Sequence, residues 1–180
     1  MYALILNGAV AKYPYPVTDA RRDNPNVSFP AQPDDDALQS VNAYRVQPVL
    51  APSVTASQVL VENTPVLLSG QWTQAWSIRA KTAAEVAAEN QAIQNSIVDA
   101  TQLRLDTFAQ TRNYMGILSA ATYATSNVAK FKTEGQYCVN QRDATWAKLY
   151  QILAEVQAGT RPMPTGYADI EAELPVLVWP

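Results

Sequence analysis

The sequence predicts an α+β protein: an N-terminal small antiparallel β domain over residues 1–78, a long helical hairpin over 79–159, and an extended C-terminal tail over 160–180. Three observations carry that reading. Eight prolines fall between Pro14 and Pro65 and four between Pro162 and Pro180, while the 83 residues from Arg79 to Arg161 contain none. Proline locks φ and lacks an amide donor, so it collects in loops and strand ends and is excluded from helix interiors. The second observation is Asn7-Gly8, set between the runs Tyr2–Leu6 and Ala9–Tyr13; such a pair supplies the positive φ values of a type I′ hairpin turn. The third is Thr82-Ala-Ala-Glu85, a capping box at the start of the proline-free block.

The elements follow in order. Pro14 and Pro16 close the second strand, and Tyr15 to Pro33 reads as turn-forming chain centred on Asp23-Asn24-Pro25-Asn26. A short helix is expected over Leu38–Ala43. Tyr44–Leu50 and Gln58–Glu62 alternate as strands. A further hairpin runs from Pro65–Leu68 through Ser69-Gly70 into Gln71–Ile78. Trp72, Gln74, Trp76 and Ile78 then share one face.

A first long helix is expected from about 83 to 108, with Val86, Ile93, Ile97, Leu105 and Phe108 on one face. At 1.5 Å per residue it is ~39 Å long. Its stripe is thin, as in a strut or a strand of a coiled coil, and it permits self-association. A short helix near Tyr114–Ala121 leads to a second long helix from about 127 to 158. That helix carries Phe131, Cys138, Trp146, Leu149, Leu153 and Val156, and Gly159 is placed to end it. Gly135 weakens it locally and is read as marking a start or a kink near that point.

Composition narrows the chemistry. Nearly half of the residues are hydrophobic, enough for a core. Net charge is −3, and the one basic pair, Arg21-Arg22, is flanked by Asp19 and Asp23, so phosphate neutralisation of a nucleic acid is not expected. There is no histidine, the usual activator of serine and cysteine nucleophiles and a common zinc ligand. Asp34-Asp35-Asp36 is the one acidic cluster. It lacks the alternate spacing and turning glycine of a calcium loop, so it reads as a solvated loop or a helix start ahead of a metal site. Accordingly no catalytic residue, metal or cofactor is expected. Cys138, the single cysteine, allows no internal disulfide and lies on the apolar stripe as a buried, inert thiol ahead of a reactive one. The opening apolar run stops at Asn7, too short for a signal peptide, and no run reaches the ~20 residues of a membrane span.

Two groups of segments resemble a known family. One is Tyr13-Pro-Tyr-Pro16 with Arg21-Arg-Asp-Asn-Pro-Asn-Val-Ser-Phe-Pro30. The other runs from Arg104-Leu-Asp-Thr-Phe-Ala109 through Gly116–Thr125, Glu134–Cys138, Arg142–Trp146 and Gly159–Pro164 to Leu174–Pro180. Together they resemble small tail proteins of tailed bacteriophages, of the tail-fibre assembly, chaperone-like or virion structural type. The resemblance spans most of the chain outside residues 34–60.

It implies a non-enzymatic protein that binds a phage tail fibre or baseplate subunit, either as a connector in the virion tail or as an assembly chaperone in the host cytoplasm. It implies no catalytic residues. A receptor-binding tip module recognising a host surface glycan or protein is the alternative. Candidate partner-binding residues are Arg21, Arg22 and Phe29 in the front loop, Trp72 and Trp76 on the hairpin, and Val176 and Trp179 near the C-terminus. Each has a plainer reading: a structural loop, core-covering tryptophans, and an apolar segment docked on its own helices.

Overall fold

The computed structural model describes residues 1–180 and places left-handed residues at both expected hairpin turns: Asn7 (φ 52) and Gly8 (φ 77), then Ser69 (φ 49) and Gly70 (φ 80). The chain is α+β and divides into two units, Met1–Thr82 and Ala83–Pro180.

In the first unit β1 (Tyr2–Leu6) pairs antiparallel with β2 (Ala9–Lys12) on one edge and β3 (Ala43–Arg45) on the other. Side chains alternate across this small sheet. Tyr2 and Leu4 face a cluster of Tyr15, Ala20, Leu38, Val41 and Ala43, while Ala3 and Ile5 face Val46 and Trp72. Both faces of the central strand β1 are therefore covered, while β2 stays largely exposed.

The first cover includes two helices, α1 (Val17–Asp23) and α2 (Asp35–Gln39). The first corrects the turn-forming reading of Tyr15–Pro33. Pro16 sits at the N-cap, where it has no helical amide to supply, and its carbonyl accepts from the Asp19 and Ala20 amides. Turn structure is confined to the following segment, where the Val27 amide reaches the Asn24 carbonyl. The acidic triplet is a helix start: Asp34 accepts from the Ala37 amide at 2.9 Å. The helix thus begins before the expected Leu38.

The expected strand Tyr44–Leu50 shortens to β3 and an isolated parallel bridge from Gln47 to Thr73. The two runs flanking Thr64 instead form one strand, β4 (Gln58–Leu68), paired with β5 (Gln71–Ala80). Pro65 does not end it. Asn63 pairs with Ala75 and Val66 with Thr73, so Thr64 and Pro65 together oppose Gln74. This is a bulge, a place where a strand tolerates a residue without an amide hydrogen.

The second unit is built on α3 (Ala83–Gln110) and α5 (Ala129–Gln157), joined by α4 (Ile117–Ala121) and a 3-10 turn over Thr122–Thr125. Ile97 packs with Ile152, and Leu105 and Ala109 with Cys138, so α3 and α5 run antiparallel. The buried stripe of α3 is Ile97, Thr101, Leu105 and Ala109; Val86, expected on it, is exposed. Thr101 and Thr145 are fully buried because each hydroxyl donates to a carbonyl one turn back, on Ile97 and Gln141. The Asp106 carboxylate accepts from the Ile117 amide and so caps α4 from a neighbouring helix.

Residues 160–180 are not an extended tail. They form two 3-10 turns, Tyr167–Asp169 and Glu171–Glu173, before an extended run. Ile170 and Leu174 are buried against Ile97 and Ile152. The reason is apolar: four of the last seven residues are aliphatic and one is tryptophan, and the groove between α3 and α5 removes much of that surface from water.

Gly135 lies inside α5 and the helix continues through it, so it marks neither a start nor a break. It is buried because the Tyr123–Ala124 backbone crosses the helix there. A Cβ at this position would sit 2.9 Å from Ala124 Cα and closer still to the Tyr123–Ala124 peptide. In an open helix Gly→Ala gains about 1 kcal/mol. Here we expect Gly135→Ala to destabilise the protein by about 1–3 kcal/mol through overpacking, read as a fall in the denaturant midpoint. A stabilised variant would show that this crossing is not tight.

Candidate functional site

The expected partner-binding residues are largely engaged within the chain. Arg21 lies on α1, where its guanidinium donates to the carbonyls of Pro30 and Ala31 and stands 5.6 Å over the Phe29 ring. Phe29 packs on the Tyr15–Leu38 cluster. The two residues fold the 24–33 loop back on its helix. Arg22 is exposed and pairs with Asp19 and Asp23, contacts that add little stability in water.

Trp72 and Trp76 share a face of β5, with Gln74 between them. Trp72 packs on Ile5 and Val46. Gln74 Oε1 accepts from the Val49 amide at 3.2 Å, and Trp76 Nε1 donates to the Val49 carbonyl at 3.1 Å. Two side chains thus satisfy both backbone groups of one residue, tying the 47–49 segment along β5. Backbone bonds from Gln47 N to Trp72 O and from Gln74 N to Gln47 O complete the tie. Gln74 Nε2 also donates to Glu62 at 2.6 Å, and Glu62 accepts from the Tyr13 hydroxyl. Burial and the Glu62 carboxylate push Tyr13 up to about 12. The base of the β4–β5 hairpin is therefore fixed to the small sheet.

Its tip is bare. Val66, Leu67 and Leu68 are 43%, 55% and 56% exposed, three consecutive aliphatic residues beside the turn. The outer edge of β4 pairs with no other strand, because the sheet has two strands and the 47–49 segment covers β5. A free edge next to exposed aliphatic side chains is a template for association.

Near the C-terminus the two candidates separate. Val176 is 77% exposed. Trp179 is half-buried, stacked on Phe108 at 4.3 Å with its Nε1 donating to Thr111 Oγ1 at 2.9 Å. Arg104 donates to the Pro175 carbonyl, and the Tyr137 hydroxyl accepts from the Val178 amide, so the segment is held at several points. Glu173 pairs with Arg161 at 2.6 Å and Lys148 at 3.2 Å. These cations lower its carboxyl from 4.5 to about 2.

A further group was missed in the sequence. Glu134 is 3% exposed, and its carboxylate accepts from Arg112 and from the Tyr114 hydroxyl at 2.7 Å. Arg112 in turn lies 4.8 Å over the Trp179 ring. Burial opposes the charge on Glu134, but hydrogen bonds from Tyr114 and Arg112 outweigh it and hold the carboxyl below its ordinary range. The available signal was an acid four residues before Cys138 on the apolar stripe. Cys138 itself is fully buried, and burial with the Glu134 charge pushes its thiol up to about 11, far from a reactive thiolate.

No protein-family model matches the chain, nor does any curated protein or solved structure.

Two outcomes are expected. The Glu173 carboxyl is lowered on folding, so its stabilising effect is full above pH 4.5 and is lost as pH falls toward about 2. Hydrogen exchange over residues 165–174 should accelerate through that window, and Glu173→Gln should reduce the pH dependence to the part due to Asp169, whose carboxyl is held low by hydrogen bonds from Thr165; an unchanged profile in the variant contradicts this. Trp76→Phe keeps an aromatic, though smaller, ring and loses the bond to Val49, costing about 1 kcal/mol for the hydrogen bond. Faster amide exchange near Val49, with β1–β3 unaffected, is the expected readout.

Proposed function

We propose that this chain is a non-enzymatic component of a bacteriophage tail that binds a tail fibre or baseplate subunit. It acts either as a connector in the virion tail or as a fibre assembly chaperone in the host cytoplasm. The phage setting comes from the sequence resemblance carried by Arg21–Pro30 and the segments from Arg104 to Pro180. The observation that carries binding is the β4–β5 hairpin, anchored at its base by the Tyr13–Glu62–Gln74–Val49 hydrogen bonds and apolar at its tip. A rigid base with exposed aliphatic residues suits a docking element, because little order is lost on association.

This reading moves the contact from the residues first singled out. Trp72 and Trp76 are engaged with Val46 and Val49, and Trp179 with Phe108, so the exposed run Val66, Leu67 and Leu68 at the hairpin tip is the apolar surface of the first unit that supports the reading.

The test is co-expression with a tail-fibre or baseplate subunit of the same phage. The double variant Leu67→Ser, Leu68→Ser should fold, since both side chains are exposed, and should retain the fibre at least about tenfold less well, a loss of about 1.4 kcal/mol. Equal retention by the variant rejects the hairpin as the contact. Mass spectrometry of purified particles separates the roles: a stoichiometric presence means connector, and complete absence means chaperone.

A further inference from the structure

The corner of the second unit carries an open cleft of about 480 Å³, between the chain just beyond α3 and the start of α5. Its walls combine two kinds of surface. Tyr123 and Phe131 are partly exposed and meet edge to face at 5.7 Å and 66°. Arg112, Asn113, Lys130 and the buried Glu134 complete the lining.

The polar wall is held in place. Trp179, fixed by Thr111, supports the flat face of the Arg112 guanidinium, and one Arg112 nitrogen is taken by Glu134. Its other two nitrogens make no hydrogen bond. The Asn113 side-chain amide makes no hydrogen bond, and the Lys130 ammonium makes no direct ion pair, acting on Glu134 only through its charge. Two cations against one carboxylate leave the lining at +1, on a chain whose net charge is −3.

A ligand matching this surface needs an apolar face for the rings, hydroxyl groups for the amide and guanidinium, and a negative charge for the ammonium. The rings stand at 66° and so offer no parallel slot for a flat heteroaromatic base. A pyranose ring answers better: its C–H groups form an apolar face and its hydroxyls lie around the rim. The volume lies within the 300–1,000 Å³ usual for ligand pockets. We propose that this corner is a binding site for an acidic sugar residue of a glycan. The site is independent of the hairpin contact proposed above, since it uses none of its residues.

Calorimetric titration of the intact protein tests this, with a galacturonate trisaccharide, the neutral maltotriose and AMP as probes. Saturable binding of the galacturonate trisaccharide at millimolar or lower concentration is expected, with Trp179 fluorescence changing in parallel. Maltotriose should bind about tenfold more weakly. Phe131→Ala and Lys130→Ala alter exposed side chains, and each should weaken trisaccharide binding by about tenfold with the circular dichroism unchanged. The proposal is overturned by no saturable binding of the trisaccharide, by tighter binding of maltotriose or AMP, or by full affinity in both variants. A lost fibre contact with sugar binding intact would bear on the hairpin alone.

Discussion

The helical unit depends on one place where two backbones touch. At Gly135 the Tyr123–Ala124 peptide crosses α5 with no side chain between them. That crossing sets how far α5 starts from the end of α3. It brings Tyr123 against Phe131 and Tyr114, and it places Glu134, the residue just before the glycine, facing inward. A glycine that costs helix propensity is retained because the corner has no room for a methyl group.

Glu134 then makes the corner specific. A buried carboxylate is tolerated only with its hydrogen bonds made, and removing one partner leaves an uncompensated charge. Arg112 and Tyr114 lie just beyond the end of α3, while Glu134 lies on α5. The three therefore join the two helices in a single register. Trp179 covers Arg112 from the other side, so the C-terminal segment closes over the same ion pair. Packing at Gly135 and charge at Glu134 act on adjacent residues and favour the same geometry.

Much of this fold was legible where local chemistry decides structure. The proline partition located the helical block, Asn7-Gly8 and Ser69-Gly70 set both hairpin turns, and the apolar spacing bounded α3 and α5 to within a few residues. The failures occurred where distant residues decide. Pro65 looked like a strand terminus, but a bulge opposite Gln74 accommodates it. Tyr15 to Pro33 read as continuous turn around Asp23-Asn24-Pro25-Asn26, yet Pro16 precedes a helix, where a proline removes nothing the helix needs. Thr101, Thr145 and Glu134 were passed over as polar, although back-bonded hydroxyls and a paired carboxylate can be buried. The tryptophans were legible as a shared face. Their engagement with Val49 and Phe108 required contacts 27 and 71 residues away in sequence, which no periodicity reports.

The bulge at Thr64–Pro65 also constrains what can add to the free edge of β4. An incoming strand would meet a ladder broken in the middle, with the chain bent and one amide hydrogen missing. A long straight strand, including another copy of β4, cannot stay in register along its whole length. A short segment can pair on either side of the break. The same irregularity that admits a proline thus acts as a length filter, leaving the edge open to a brief contact while obstructing runaway sheet growth.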